Sequence, residues 1–355
     1  MAINFHEKYS SKVQERFFQE SLTQSSFSKD LDTEFTGVKT VKVTEVHTVP
    51  MNDYNRTKNG NRYGDPTELQ DSVQEFTMTQ DRSFSFTVDK GNNSEQQGVK
   101  NAGKAMSRQM REVVTPEIDR YRFKKWAAGA GQGIGMTAAP TKDTIYTDLL
   151  TAKIALDNKL VPKDGRTVYL GSVAYLALME CDKYIRLEKL GSKAIVKGKI
   201  GEIFDMDIKP VPDSYLPAGV YFMVVSKKAA ISPVKLHECK MHMDPPGLSG
   251  HLVEGRFIYD AFVKGTMMDG IYVAAEADKK VKDPTVTLSD GSATVSVTSG
   301  VAYYTLDGSD PRYSTSRVQY SAAVPVAEGE KIRVVAVKDD CFMSGIVEAA
   351  GTAAA

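Results

Sequence analysis

Charge of one sign is what this sequence lacks first. Its 45 Lys and Arg stand against 45 Asp and Glu, a formal net charge of zero. That excludes a strongly basic nucleic-acid binder held mainly by phosphate attraction. It also removes self-repulsion, because near-zero net charge favours association. Cysteine is scarce: Cys181, Cys239 and Cys341 are odd in number and far apart. Neither a disulfide framework nor a CxxC zinc module fits them, and a reducing compartment is the natural reading. No run of about 18 apolar residues exists, so no spanning helix is expected. The stretch Met1–Lys8 has no apolar core of the kind a secretory signal needs. The expectation is a chain that stays soluble, or assembles, in the cytoplasm where it is made.

Catalytic signatures are absent too. No GxSxG, HExxH or Cys-His-Asn pattern occurs. Gly98–Lys104 has the glycine and lysine spacing of a phosphate loop, but Ala105 stands where a Ser or Thr hydroxyl would hold magnesium. The polar stretch Gly91–Gln97 precedes it instead of a buried strand. Gly129–Gly135 lacks dinucleotide-loop spacing and reads as a flexible exit loop. His237, Cys239, His242 and His251 lie close in sequence. In a strand, however, His237 and Cys239 face one way and His242 the other, and a fourth ligand at zinc-like spacing is missing. Ordinary strand residues are the better reading.

What is present is enough for folded cores. The chain has 355 residues and 41% hydrophobic content, which suggests two or three domains. Residues 1–37 are polar, with a short helix predicted over Ser11–Leu22. Val38–Val49 alternates as a strand. Turn signals and Arg56, Lys58 and Arg62 fill 50–66. Leu69–Met78 and Arg82–Val88 read as two strands forming a long ribbon with each other. Val99–Trp126 is the strongest helix, with a kink or break expected at Thr115–Pro116. It carries eight basic and three acidic residues, net +5. That is a solvated face or a contact for a polyanion.

A helix over Ile145–Asn158 follows, then a buried strand at Thr167–Leu170 and a helix Val173–Cys181 with Ser172 as its cap. Strands are predicted at Ile200–Ile208, Val220–Val225, His237–Met243, Gly255–Val263 and Ile271–Ala274. This mixture is an α+β domain. From about Lys282 only strands and turns remain, at Val286–Leu288, Ala293–Val297, Ala302–Leu306, Lys331–Lys338 and Ser344–Glu348. That is a small β-sandwich of net charge −3.

Three groups of residues carry a resemblance. The first is Asp53–Arg56, Arg62–Asp65 and Phe76–Phe86 with its Thr-Gln-Asp-Arg turn; the second is the basic helix followed by glycines. The third comprises Asn158–Pro162, Arg166–Gly171, Gly201–Phe204, Val211–Pro212, Gly255–Val263 and Gly270–Val273. Together, across about residues 30–275, they resemble the major capsid proteins of tailed bacteriophages, the Hong Kong 97-type fold. The segment Tyr303–Pro311, with Ser314, Tyr320, Gly329–Val337 and Ser344, resembles the chitobiase C-terminal, immunoglobulin-like module.

The resemblance implies an N-terminal arm over 1–37, a capsid-fold core over 38–280, and an immunoglobulin-like β-sandwich over 281–355. The core would hold an extended β-ribbon loop at about 50–97, a spine helix at about 99–126, and peripheral and axial domains. It implies a major capsid protein that self-assembles through hexamers and pentamers into an icosahedral shell, with its last domain on the outer surface. The location would be the virion, after assembly in the host cytoplasm. No catalysis, cofactor, metal or membrane is implied. A separate scaffolding protein and a portal are expected partners, with no large N-terminal cleavage. Packaged double-stranded DNA would be touched weakly and without sequence reading. The alternative is a carbohydrate-binding or adhesive virion surface protein, with a surface glycan bound through 281–355. Candidates for inter-subunit contact are Arg56, Arg62, Asp81 and Arg82; candidates to face the genome are Arg108, Arg111, Lys124 and Lys125.

Overall fold

The structure, a computed structural model, describes residues 21–28, 35–36, 40–46, 51, 53–57, 60–63, 68, 71–91, 102–184, 201–289, 291–339 and 341–351. Most of the helix expected over Ser11–Leu22, and Gly98–Asn101 of the phosphate-loop-like stretch, lie outside these residues.

The body begins with β1 (Phe35–Thr36), β2 (Thr40–Val46), β3 (Asp71–Thr77) and β4 (Gln80–Asp89). The ribbon is real, but its strands differ from those expected. β2 pairs antiparallel with β3, from Thr40 opposite Thr77 to Val46 opposite Asp71. β3 and β4 do not pair. Between them Thr79 is pinned: Asp260 accepts both its backbone N–H, at 2.7 Å, and its hydroxyl, at 3.0 Å. The neighbouring Met78 is buried. With Met78 and Thr79 held, no hairpin turn can form there, and β4 runs on into a different sheet.

The spine follows as α1 (Ala102–Gln109), a π-turn (Met110–Val114) and α2 (Thr115–Ala128). The expected break does not occur. Pro116 has no N–H and its ring would strike the carbonyl four residues back. The helix widens just before it, and the Thr115 N–H donates to the Met110 carbonyl, five residues earlier. The helix therefore runs on through the proline, with a widened turn in place of a break.

Next come β5 (Gln132–Met136), α3 (Ile145–Asn158), β6 (Arg166–Leu170) and α4 (Ser172–Met179). Then β7 (Glu202–Ile203), β8 (Met206–Pro210), β9 (Val220–Ser226), β10 (Ala230–Ile231), β11 (Val234–Met243), β12 (Gly250–Tyr259), β13 (Phe262–Val263) and β14 (Ile271–Glu276) complete the body. A six-stranded mixed sheet, order β5-β14-β9-β6-β8-β7, is its centre. Both faces are covered, so the central strands β9 and β14 are apolar along nearly their whole length, whereas β8 nearer the edge alternates buried Met206 and Ile208 with Asp207 and Lys209. Val168, Leu170, Phe222, Val224 and Ala274 pack under α3 and α4. Tyr169, Met223, Val225, Val273 and Ala275 pack under α2 with Phe123 and Trp126.

The glycine run is not an exit loop. Gln132–Met136 is the edge strand β5, parallel to β14. Its glycines allow that approach: a Cβ on Gly133 would sit 2.4 Å from the Val273 carbonyl oxygen. Ser172 does not cap α4 with its side chain. Gly171 takes the cap position, and the Ser172 N–H donates to Asp213 Oδ1 at 2.8 Å. The strand expected over Ile200–Ile208 is a hairpin, β7 and β8, turned by Phe204 and Asp205 at φ of 53° and 63°. Two successive residues at positive φ make the tight turn that matches strand twist.

A second sheet, β11-β12-β4, lies against the spine. Phe84, Phe86, Val88 and Val253 meet Ala102 and Met106 on α1. Phe257 and Tyr259 meet Met110 and Val114 in the π-turn.

The C-terminal domain is a sandwich of two sheets. One, in order β15-β16-β19, is Thr285–Ser289, Ser292–Ser296 and Val324–Pro325. The other is β18-β17-β20-β21: Val318–Gln319, Val301–Thr305, Lys331–Val337 and Val347–Ala350. Ala293, Val295, Ala302, Val326, Ile332 and Val334 form its core.

Candidate assembly surfaces

Between β2 and β3 the chain turns through a loop whose described part is held by the Asn55 N–H donating to the Arg62 carbonyl at 3.0 Å. The Thr57 N–H and hydroxyl both donate to Asn55 Oδ1. Tyr54 and Tyr63 meet edge to face, with ring centroids 4.9 Å apart. The tip is organised, yet its apolar groups face water: Met51 is 100% exposed and Tyr63 83%. Arg56 and Arg62 are exposed beside them. Tyr, Met and Arg at an exposed tip are the residue types enriched at protein interfaces.

Asp81 and Arg82, the other two contact candidates, are in pairs within the chain. Arg256 on β12 donates to both Asp81 oxygens, at 2.9 and 2.7 Å. This pairing holds the Arg256 guanidinium above its ordinary pKa. Arg82 Nε donates to Glu117 of α2 at 2.9 Å. The structure thus brings Arg56 and Arg62 together at the tip and leaves Asp81 and Arg82 on the second sheet.

The spine helix sorts its charges by depth. Arg122 and Asp119 are buried and paired at 3.3 Å. Arg108 is half-buried and donates to Glu112 at 2.7 Å. Arg111, Lys124 and Lys125 are exposed, with Lys125 Nζ 5.6 Å from the Tyr121 ring centroid. All three acidic residues of the helix are therefore engaged with Arg side chains, and the outward charge is basic.

Sequence reasoning missed the role of Asp119. Its carboxylate accepts the Ser21 hydroxyl at 2.9 Å, the Leu22 N–H at 2.9 Å and the Thr23 hydroxyl at 2.5 Å. Arg122 donates to Thr23 and to Ser232. Phe27 is buried under the Arg122 guanidinium, 4.7 Å from ring centroid to Cζ, and packs near Trp126. The Ser28 N–H donates to the Ala230 carbonyl. Residues 21–28 thus form a strap bound across the spine helix and the central sheet. The only sequence signal was a polar Ser/Thr segment, which looks like any arm.

His237, Cys239 and His242 make side-chain contacts within the second sheet and with the spine. His237 lies 5.1 Å from the Phe257 ring, Cys239 Sγ meets Met110 Sδ at 3.6 Å, and His242 faces Glu254 at 3.4 Å. Burial pushes the Cys239 thiol above its ordinary pKa. Among the described residues no three His, Cys, Asp or Glu stand close enough to hold a metal ion. No helix there is long and apolar enough to cross a membrane.

Residues 276–348 match the family model of the chitobiase/beta-hexosaminidase C-terminal domain. No curated protein matches the chain. A structure from Mycobacterium phage Che8 is similar at 16% identity and a TM-score of 0.59, over 77% of this chain and 98% of its own. The capsid structure of cyanophage P-SCSP1u is similar at 14% identity and a TM-score of 0.62, over 77% of this chain and 93% of its own. The mature capsid of bacteriophage PhiM1 is similar at 10% identity and a TM-score of 0.55, over 77% and 92%. The fold is therefore the α+β fold of phage capsid structures, followed by an all-β immunoglobulin-like domain.

Proposed function

We propose that this chain is the shell-forming subunit of a tailed-phage capsid, a structural protein without catalysis. The observation that carries the reading is the likeness of fold to two phage capsid structures over 92% and 93% of their own length. The ribbon adds a physical argument. Its tip exposes Met51, Tyr54 and Tyr63 beside Arg56 and Arg62. Two strands and a wet aromatic tip gain little stability alone and gain much by lying on another subunit. Repeated by symmetry, such contacts close a ring or shell.

In this reading the partners are further copies of the chain, as hexamers and pentamers, with a separate scaffolding protein and a portal. Arg56 and Arg62 make inter-subunit contacts at the tip. Asp81 and Arg82 make contacts of their own from the second sheet, as exposed ion pairs already formed with Arg256 and Glu117. Double-stranded DNA meets the outward charge of the spine, through Arg111, Lys124 and Lys125 and, less, through Arg108. The C-terminal domain stands on the outer surface of the virion, where it is the segment open to a glycan. Assembly takes place in the host cytoplasm.

Sedimentation of the purified full chain, alone and with a scaffolding partner, tests the reading. Rings or shells are expected. A monomer that persists at high concentration with the scaffold present would overturn it.

A further inference from the structure

The junction between body and C-terminal domain is built at two separate places. The first is the connecting segment itself. The Val281 N–H donates to the Phe342 carbonyl at 3.0 Å, and the Phe342 N–H donates to the Lys279 carbonyl at 2.7 Å. The Gly345 N–H donates to Asp283 Oδ1 at 2.7 Å, and the Lys280 ammonium donates to the Met343 carbonyl. Phe342 packs against the body's own core beside α2. A linker of this kind is paired along its length and does not swing.

The second place is Arg312, whose side chain is only 3% exposed. Its own loop aims it: Asp310 accepts from Nε at 3.0 Å and from Nη2 at 2.6 Å. The guanidinium then crosses to the body, where Nη1 donates to the Gly131 carbonyl at 2.8 Å and to Asp269 Oδ1 at 2.9 Å. Gly131 belongs to the glycine run before β5. A Cβ there would lie 2.5 Å from Arg312 Nη1, 2.6 Å from the Met268 carbonyl carbon and 2.7 Å from the Asp269 nitrogen. The body therefore keeps a seat that only glycine provides, and an arginine of the sandwich fills it.

We infer that Arg312 seated on Gly131 and Asp269, together with the paired linker, clamps the C-terminal domain to the body, so that the two move as one rigid unit. A guanidinium this deep is held only while all its partners are present, because an unpaired buried charge is strongly unfavourable. Two attachments separated along the chain also remove the rotation that a single linker would leave. The clamp is a property of the lone chain and stands apart from the shell reading. If that reading holds as well, every copy of the outer domain points in one fixed direction from the shell.

Limited trypsin digestion of the full chain tests the clamp, because Lys279, Lys280 and Lys282 lie in the linker. The readout is the rate of release of the fragment that starts at Asp283, alongside the melting of the whole chain. Wild type is expected to resist. Arg312→Ala is expected to raise the release rate at least about tenfold, since local opening sets such rates. Gly131→Ala should do the same from the body side without altering the sandwich, and so decides the matter if Arg312→Ala disturbs the sandwich itself. Lys331→Ala, which breaks an exposed ion pair with Glu348 in the same domain, should leave the rate unchanged. Release within twofold of wild type for both Arg312→Ala and Gly131→Ala would overturn the clamp.

Discussion

Asp119 shows how one buried carboxylate organises distant parts of this chain. It satisfies three donors from residues 21–23 while neutralising Arg122 one turn along the helix. Removing it takes the counter-charge from a buried guanidinium that also donates to Thr23 and Ser232. Asp119→Ala is therefore expected to destabilise the chain by about 3–5 kcal/mol. The single tryptophan gives the readout: Trp126 is fully buried beside Phe27, so its fluorescence follows release of the strap in a denaturant titration. An unchanged midpoint would refute this role for Asp119.

Lys280 gives a prediction in pH. Burial, only partly offset by Asp283 and reinforced by Arg312, pushes its ammonium from 10.5 down to about 8. Between those values the unfolded chain binds the proton and the folded chain does not, so stability rises with pH across that window. Tyr259 and Tyr272, pushed by burial from 10.0 up to about 12, act in the opposite sense above pH 10. Stability of wild type relative to Lys280→Met should therefore climb by up to about 2 kcal/mol between pH 8 and pH 9.5. A flat or falling difference in unfolding midpoints would contradict it.

At the scale of elements, the ribbon is the part whose chemistry faces outward. Met51 and Tyr63 touch little of their own chain. The double variant Met51→Ser, Tyr63→Ala should leave the melting temperature of the monomer within about 1 °C, as surface changes do. It should lower the assembled fraction in sedimentation at least about tenfold, as loss of interface anchors does. Loss of monomer stability with assembly intact would reverse that assignment.

Elements also differ in how far local sequence reveals them. The helix Ile145–Asn158 was legible because one period writes its buried face, and the strand within Arg166–Leu170 because it is a short, mostly apolar run buried at every position. The ribbon's partners were not, since strand pairing is decided by contacts such as Asp260 to Thr79, 181 positions apart. The strand in the glycine run was hidden because its glycines serve a close neighbour, Val273, and leave no periodic pattern. The charged candidates at the tip were visible as residue types. The burial of Asp119 and Arg122 was not, because their neighbours arrive from residues 21–28.

For the whole molecule, the balance of 45 against 45 charges is an average over unlike parts. The spine helix carries +5 and the terminal sandwich −3. On the spine helix Asp119 and Arg122 are paired and buried, while Arg111, Lys124 and Lys125 lie at the surface. Under the proposed function, such a chain associates with itself and meets the packaged DNA weakly. The clamp at Arg312 joins the sandwich to the body at Gly131 and Asp269 without a free hinge.

Electron microscopy of the full chain, co-expressed with a scaffolding partner, tests the central claim most directly. The account predicts closed shells of uniform diameter with density for the sandwich at a constant angle on every subunit. Monomers or amorphous aggregates alone, from protein that melts as a folded chain, would contradict it.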